Sequence, residues 1–171
     1  DVNSCTAMLL GPVLDPLRSS SILKNLGTLH IRMQKHSDNA AYLAEKFEEI
    51  GLKYIYPGNP DHPQYELFTM IMNEDFGYGG MIAIDVETAE RAAPFMELMQ
   101  EKGVGYHAVS LGYFKTLFSN SGKSTSSEVP EEIQKEMGLS PGLIRFSVGL
   151  DHDIENTFEV IKSCLKELKY I

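Results

Sequence analysis

The segment from residue 141 to residue 150 constrains the fold most, because it is mostly apolar and carries one positive charge. Side chains alternate between the two faces of a strand, so three of its residues are predicted to point into a core: Ile144, Phe146 and Val148. Arg145 then lies on the opposite face, with Leu143 and Ser147. A guanidinium keeps its proton in proteins and is costly to bury without an anion. The segment therefore predicts a core strand with an anion beside its outer face.

Two interpretations of Arg145 stay open at this point. The first is a structural salt bridge with one of the chain's own acidic residues, which is the usual state of a buried charge. The second is a binding site for a carboxylate ligand, because the planar guanidinium can hold a carboxylate by two parallel hydrogen bonds. The surrounding segments favour the second.

The composition indicates an acidic chain of one domain, or of one domain and a small part of another. Its 171 residues are 43% hydrophobic, which is enough for a core, and 15 basic against 24 acidic residues give a net charge of -9. That charge argues against a nucleic-acid partner or an anionic membrane surface, since both bind a basic patch. Cys5 and Cys164 make no disulfide framework and show no metal-ligand spacing, so no metal site is predicted. Without a signal peptide or a membrane-length apolar stretch, a cytoplasmic location is expected.

Apolar periodicity predicts an opening pair of helices. Asp15 and Pro16 are the predicted cap and first residue of the first helix, and a second stripe over residues 40–50 ends at Gly51. These stripes could also form one long, bent helix. Further helices are predicted over residues 66–72, over 89–99 with a kink or late start at Pro94, from residue 129, and over 154–168 with Asp151 or Asp153 as the cap.

Strands are predicted over residues 53–56, 81–86, 107–111 and 141–150, and residues 119–127 are predicted to form a polar loop. Helices come first, and strands and helices are mixed afterwards. This order predicts an α+β fold in which helices cover one face of a small, largely antiparallel sheet.

Three short motifs contain residue types that could bind a ligand. Residues 122–125, Gly-Lys-Ser-Thr, end like a phosphate-binding loop, but Leu117 stands where that motif needs a glycine, so no nucleotide site is predicted. The acidic pair Asp151 and Asp153 is more typical of a helix cap than of a metal site. Residues 108–112, Ala-Val-Ser-Leu-Gly, are predicted to be a strand end whose N–H groups and serine hydroxyl could bind an anion, with a plain strand end as the alternative.

Seven segments, taken in order, resemble the C-terminal domain of the pyridoxal-phosphate (PLP) enzymes of cysteine and methionine metabolism. That family includes cystathionine lyases and synthases, methionine gamma-lyase and O-acetylhomoserine sulfhydrylase. Each segment alone is weak evidence for the resemblance, and the seven in the family's order are strong evidence. They are residues 11–16 (GPVLDP), 26–33 (LGTLHIRM), 56–64 (YPGNPDHPQ), 77–81 (GYGGM), 109–112 (VSLG), 126–132 (SSEVPEE) and 142–150 (GLIRFSVGL).

The resemblance implies a substrate-binding set of five residues. Arg145 falls on the family's arginine that binds the substrate α-carboxylate. Ser110 falls on the serine beside that carboxylate, and Leu111 follows it in the same turn. Thr125 falls on a threonine near the cofactor or substrate. Val109 stands where some members carry a glutamate that shapes amino-group recognition.

The chain also departs from the family pattern. Residues 125–127 are Thr-Ser-Ser where the family often has Thr-His-Ser, and residues 113–115 are Tyr-Phe-Lys in place of small and acidic residues. Both changes lie near the implied pocket and leave the substrate open. The family lysine that bonds to PLP lies in an N-terminal domain, and Lys123 is not its equivalent, so no catalytic residue is predicted in this chain.

The resemblance further implies what the whole protein would be. Residues 1–15 would be a linker from an upstream PLP-binding domain, and residues 16–171 would be the C-terminal substrate-carboxylate-binding domain. The complete enzyme would be a homotetramer that carries out β- or γ-elimination or replacement on a sulfur amino acid or an activated homoserine, and this chain alone would be inactive. The alternative is a non-catalytic α+β regulatory or interaction module derived from that fold. An unrelated domain with a structural arginine is disfavoured by the order of the seven segments.

Overall fold

The computed structural model describes residues 14–121 and 129–171. Within these ranges an opening pair of helices is followed by strands and helices in mixed order. In order they are α1 (Pro16–Leu26), α2 (Leu29–Glu49), β1 (Tyr54–Ile55), α3 (Tyr65–Ile71), β2 (Met81–Asp85), α4 (Ala89–Glu101), β3 (Gly105–His107), β4 (Thr116–Asn120), α5 (Glu131–Glu136), β5 (Leu143–Ser147) and α6 (Ile154–Glu167), with a 3-10 turn over Glu74–Phe76.

The strands form one sheet in the order β1-β2-β5-β4-β3. Three neighbouring pairs are antiparallel, and the pair of β3 and β4 is parallel. The predicted α+β class and the largely antiparallel sheet are therefore confirmed. β5 lies at the centre of the sheet, so both edges of its backbone are paired and its side chains are held firmly.

The chain divides into two compact units, one ending at Arg32 and the other running from Met33 to Ile171. The first contains α1, where the Asp15 carboxylate accepts hydrogen bonds from the N–H groups of Leu17 and Arg18, and Pro16 takes the first helical position, as predicted. α1 ends at Leu26 and α2 begins at Leu29, so two helices form rather than one bent helix. None of the helices in the described ranges is long and apolar enough to cross a bilayer.

The core of the second unit lies between one face of the sheet and three helices. Ile144, Phe146 and Val148 are each fully buried in it, as the alternation along β5 predicts. The Phe146 ring lies 5.7 Å from the Phe118 ring of β4 and 6.5 Å from the Phe47 ring of α2. Other core residues come from α2, α4 and α6: Leu43, Phe95, Met99, Phe158, Ile161 and Leu165. One face of the sheet is thus covered by helices, and Arg145 projects from the other.

The prediction of a polar loop from residue 119 onward is wrong at its start. Residues 116–120 form β4, which is buried along its whole length between β3 and β5. The polar residues Ser119 and Asn120 led to the prediction of a loop, because polar residues are usually found in exposed segments. The Asn120 side-chain amide nitrogen donates a hydrogen bond to the carbonyl of Pro141 at 2.7 Å.

The prediction of a late start to the helix around Pro94 is also wrong. α4 begins at Ala89, where the Thr88 hydroxyl accepts a hydrogen bond from the N–H of Arg91, and it continues past Pro94. Proline removes one helical hydrogen bond. Burial of the apolar face that includes Phe95 and Met99 offsets that loss.

Asp85, the last residue of β2, joins three chain segments through its nearly buried carboxylate. It accepts hydrogen bonds from the Lys53 ammonium at 2.8 Å, the Ser140 hydroxyl at 2.6 Å and the N–H of Glu87 at 2.8 Å. Burial by itself raises the pKa of this carboxyl, but the hydrogen bonds outweigh it, so the pKa of Asp85 lies below its ordinary value. The ionised carboxylate is therefore the form that the fold stabilises.

We expect Asp85→Asn to lower the free energy of unfolding at neutral pH by about 1–3 kcal/mol, because it replaces a carboxylate with a weaker acceptor in a buried network. A lowered folded-state pKa contributes stability above the unfolded value of about 3.9 and loses it as the pH falls through the folded value. Stability of the parent chain should therefore fall below about pH 4 more steeply than that of the variant. Urea unfolding between neutral and acidic pH measures this, with the exposed Asp75→Asn as the control. Parallel pH profiles for parent and variant would contradict it.

Candidate functional site

The candidate site is built on the face of β5 that points away from the core. Arg145 lies opposite Ala83 of β2 and Ser119 of β4 in the sheet register. Its neighbours on the same face of β5, Leu143 and Ser147, are buried, and Arg145 is partly exposed. The strand thus fixes the base of the arginine and leaves its charged end near the surface.

The guanidinium of Arg145 reaches the loop that follows β3. Its Nη2 donates to the carbonyl of Val109 at 2.5 Å and to the carbonyl of Ser110 at 3.2 Å. Arg145 therefore lies beside Val109 and Ser110, two other predicted site residues that are 36 and 35 positions away in the sequence. Both acceptors are neutral carbonyls, so the positive charge of Arg145 is held in place by this loop without being neutralised by it.

The Nε of Arg145 is buried without a hydrogen-bond partner in the described structure. None of the acidic side chains that the structure describes forms an ion pair with Arg145. The structural salt bridge is therefore not found in this part of the chain. A partly buried guanidinium without a counter-charge is a favourable site for a carboxylate or another anion.

The loop over residues 108–115 differs from the sequence prediction. The predicted strand over residues 107–111 is wrong, because β3 ends at His107; the N–H of Ala108 still donates to the carbonyl of Phe118, and the chain then leaves the sheet. The side chains of Val109, Ser110 and Leu111 are exposed. The turn closes at Gly112, which has a φ of 71° that favours glycine.

The loop is also fixed at Gly112. Its N–H donates to the hydroxyl of Ser147 at 2.9 Å, two residues beyond Arg145 on the same face of β5. Leu111, Gly112 and Ser147 line a small, mostly apolar cavity of about 130 Å³. The loop thus brings Ser110 next to Arg145, and an apolar surface lies beside the charge.

Thr125, the fifth predicted site residue, lies outside the described residues. The same holds for Lys123 and for residues 11–13 and 122–128 of the motifs above.

Sequence reasoning missed two residues that anchor α2 to the end of β5. The Nδ1 atom of His36 lies 2.6 Å from the carbonyl oxygen of Val148, and the Asn39 amide nitrogen donates to the carbonyls of Gly149 and Asp151 at 2.9 Å each. Both side chains are buried. A signal was present, because His36 lies four positions before the buried Ala40 and Asn39 lies four positions before the buried Leu43, so both fall on the same stripe of the helix.

The predicted cap of the last helix is confirmed as Asp153, whose carboxylate accepts the N–H of Asn156 at 3.1 Å. Asp151 instead accepts the N–H of Asp153 and a short hydrogen bond from the Thr157 hydroxyl. These contacts give both carboxylates a structural role at the start of α6.

The lysines whose side chains the structure describes do not fit a covalent link to PLP. Such a lysine must be desolvated or tuned to a lower pKa before it can act as a nucleophile. None of the described lysines whose side chains are characterised is buried. The pKa of Lys46 is raised by a hydrogen bond to Glu49, and that of Lys102 is raised by a hydrogen bond to Glu167, which is opposite to the shift required. No lysine whose side chain the structure describes is therefore suited to the cofactor link.

Comparison with known proteins extends over most of the chain. A family model described as Cys/Met metabolism PLP-dependent enzyme matches residues 3–166. Methionine gamma-lyase of Arabidopsis thaliana is 43% identical over 150 residues, which cover 87% of this chain and 34% of that protein. Cystathionine gamma-lyase of Bacillus subtilis is 33% identical over 161 residues, which cover 92% of this chain and 40% of that protein. The chain thus spans well under half the length of these curated relatives.

Two solved structures share the fold. Cystathionine gamma-lyase from Lactobacillus plantarum, complexed with L-serine, superposes with a TM-score of 0.79 at 27% identity over 94% of this chain and 41% of that chain. An O-acetylhomoserine (thiol)-lyase from Campylobacter jejuni, described as putative and carrying a pyridoxyl-lysine phosphate group, gives a TM-score of 0.81 at 26% identity over 92% of this chain and 37% of that chain. The resemblance drawn from the seven sequence segments is confirmed. This chain belongs to the Cys/Met metabolism family of PLP-dependent enzymes.

Proposed function

We propose that this chain is the C-terminal, substrate-carboxylate-binding domain of a PLP-dependent trans-sulfuration enzyme. One observation carries the proposal: the Arg145 guanidinium is fixed against the carbonyls of Val109 and Ser110, and no described acid pairs with it. A charge held in this way is ready to bind an anion without further ordering of the side chain. The α-carboxylate of an amino acid supplies that anion.

Each proposed site residue has a distinct role. Arg145 binds the α-carboxylate through its charged N–H groups, and Ser110 adds a hydrogen bond from its exposed hydroxyl to the same group. Val109 and Leu111 present apolar side chains on either side of Ser110, and Thr125 completes the pocket in the proposal. Holding the carboxylate fixes the orientation of the whole amino acid, which is catalysis by positioning.

The substrate we propose is a sulfur amino acid or an activated homoserine, and the reaction is elimination or replacement at the β- or γ-carbon. The names of the relatives support this class, since they include methionine gamma-lyase, cystathionine gamma-lyase and cystathionine beta-lyase. PLP supplies the electron sink for such chemistry when it is bound.

The remaining parts of the enzyme are proposed to lie outside residues 16–171. An upstream domain would bind PLP and supply the lysine, with residues 1–15 as the linker, and the whole would assemble as a cytoplasmic homotetramer. The alternative, a non-catalytic α+β module that keeps this fold, would not need a free anion site beside Arg145.

We expect L-methionine to shift the NMR signals of the Arg145 side chain and the Ser110 amide in this chain, and the neutral amide L-methioninamide to leave them unchanged. The two ligands differ only in the carboxylate that the guanidinium would bind. Titration of isotope-labelled protein with each ligand at millimolar concentration gives the comparison. Equal shifts with both ligands, or none with either, would contradict carboxylate binding at this site.

A further inference from the structure

Two buried serines flank Arg145 on the outer face of the sheet. Ser147 lies two residues farther along β5, and Ser119 lies directly opposite Arg145 on β4. They are 3% and 0% exposed, respectively. They share residue type, burial and nearness to the arginine, which makes Ser119 a close control for Ser147.

Those hydrogen bonds differ sharply. The Ser147 hydroxyl accepts the N–H of Gly112 at 2.9 Å, whereas the Ser119 hydroxyl has no hydrogen-bond partner in the described structure. Ser147 thus connects the sheet to the loop that carries Ser110. Ser119 makes no such connection.

Ser147 is the second point at which β5 holds this loop. Alternate residues of a strand lie about 7 Å apart on one face, and at that spacing Arg145 binds the carbonyls of Val109 and Ser110 while Ser147 binds the amide of Gly112. The contact with Arg145 uses the same guanidinium that would bind the ligand. The contact with Ser147 does not involve any ligand-binding atom, so it can hold the turn in both the free and the bound states.

We propose that Ser147 is a positioning residue for the carboxylate site. Its hydroxyl fixes Gly112, and through Gly112 it keeps the Ser110 hydroxyl on the same side of the sheet as the Arg145 guanidinium. This inference rests on the proposed function, since it assumes that Ser110 and Arg145 bind one ligand. It adds a residue that touches no substrate and sets the geometry of the residues that do.

The test compares Ser147→Ala with Ser119→Ala. In Ser147→Ala, Gly112 loses its acceptor, so we expect its amide to exchange with solvent about tenfold faster or more. In the complete enzyme we expect KM for L-methionine to rise about three- to tenfold, the effect of one hydrogen bond, with kcat little changed. Ser119→Ala should leave both quantities unchanged, and Ser147→Thr, which keeps the hydroxyl, should restore both.

Each other outcome overturns the inference. Faster exchange at Gly112 with an unchanged KM would make Ser147 structural only, and equal effects of the two alanine variants would mean that the Gly112 hydrogen bond is irrelevant. The proposed function is tested separately by Arg145→Ala. If that variant raises KM and Ser147→Ala does not, only the role of Ser147 fails; if neither does, the carboxylate site itself is wrong.

Discussion

Arg145→Ala is expected to lower kcat/KM of the complete enzyme for L-methionine by about 30- to 700-fold, which corresponds to about 2–4 kcal/mol. The variant removes a charge that the loop carbonyls of Val109 and Ser110 hold in place, and it leaves the ligand carboxylate without a counter-charge. The side chain is partly exposed and makes no ion pair with a described residue, so the free energy of unfolding should change little. Steady-state kinetics of parent and variant, together with urea unfolding of both, measure the two effects separately.

Two further variants test whether the geometry of the arginine matters beyond its charge. Arg145→Lys keeps the charge and loses the planar fork, so its kcat/KM should fall between those of the parent and the alanine variant. Arg91→Ala is the matched control, because Arg91 of α4 pairs with Glu87 and lies 4.2 Å from the centroid of the Tyr170 ring, apart from the loop of Ser110. A loss in Arg91→Ala as large as that in Arg145→Ala would mean that the effect comes from total charge or stability, not from the site.

Phe146→Ala, in contrast to Arg145→Ala, is expected to reduce stability, with a loss of about 3–5 kcal/mol in the free energy of unfolding. Phe146 is the next residue along β5 and is fully buried between the rings of Phe47 and Phe118. Truncation removes apolar contacts and leaves a cavity where α2 meets the sheet. Urea unfolding followed by circular dichroism measures the change.

A loss of this size is a large part of the 5–15 kcal/mol that stabilises a typical domain. Phe114→Ala is the control, because Phe114 is 55% exposed and its loss should change the free energy of unfolding by less than about 1 kcal/mol. Similar losses for the two variants would contradict the placement of Phe146 at the centre of the core. Arg145 and Phe146 thus separate binding from stability at adjacent positions of one strand.

Much of the fold could be predicted because it depends on local patterns. The alternation of β5, the cap of α1 at Asp15 and the cap of α6 at Asp153 each rest on residues within a few positions of one another. The family resemblance added the pairing of Arg145 with Ser110, which no local pattern gives. β4 was missed because its polar residues, Ser119 and Asn120, are buried by neighbouring strands and not by any feature of their own sequence.

The sequence by itself determined the class of fold, the strand that carries Arg145 and the face from which that arginine projects, because the period of a strand assigns alternate residues to opposite faces. Only the tertiary structure decided what the guanidinium meets there. Its partners, the carbonyls of Val109 and Ser110, are 36 and 35 residues away along the chain. The turn at Gly112 is likewise fixed by Ser147 across the fold. Hydrogen bonds between distant segments depend on which strands pair with β5 and where the loops between them lie. A periodic pattern in the sequence does not contain that information.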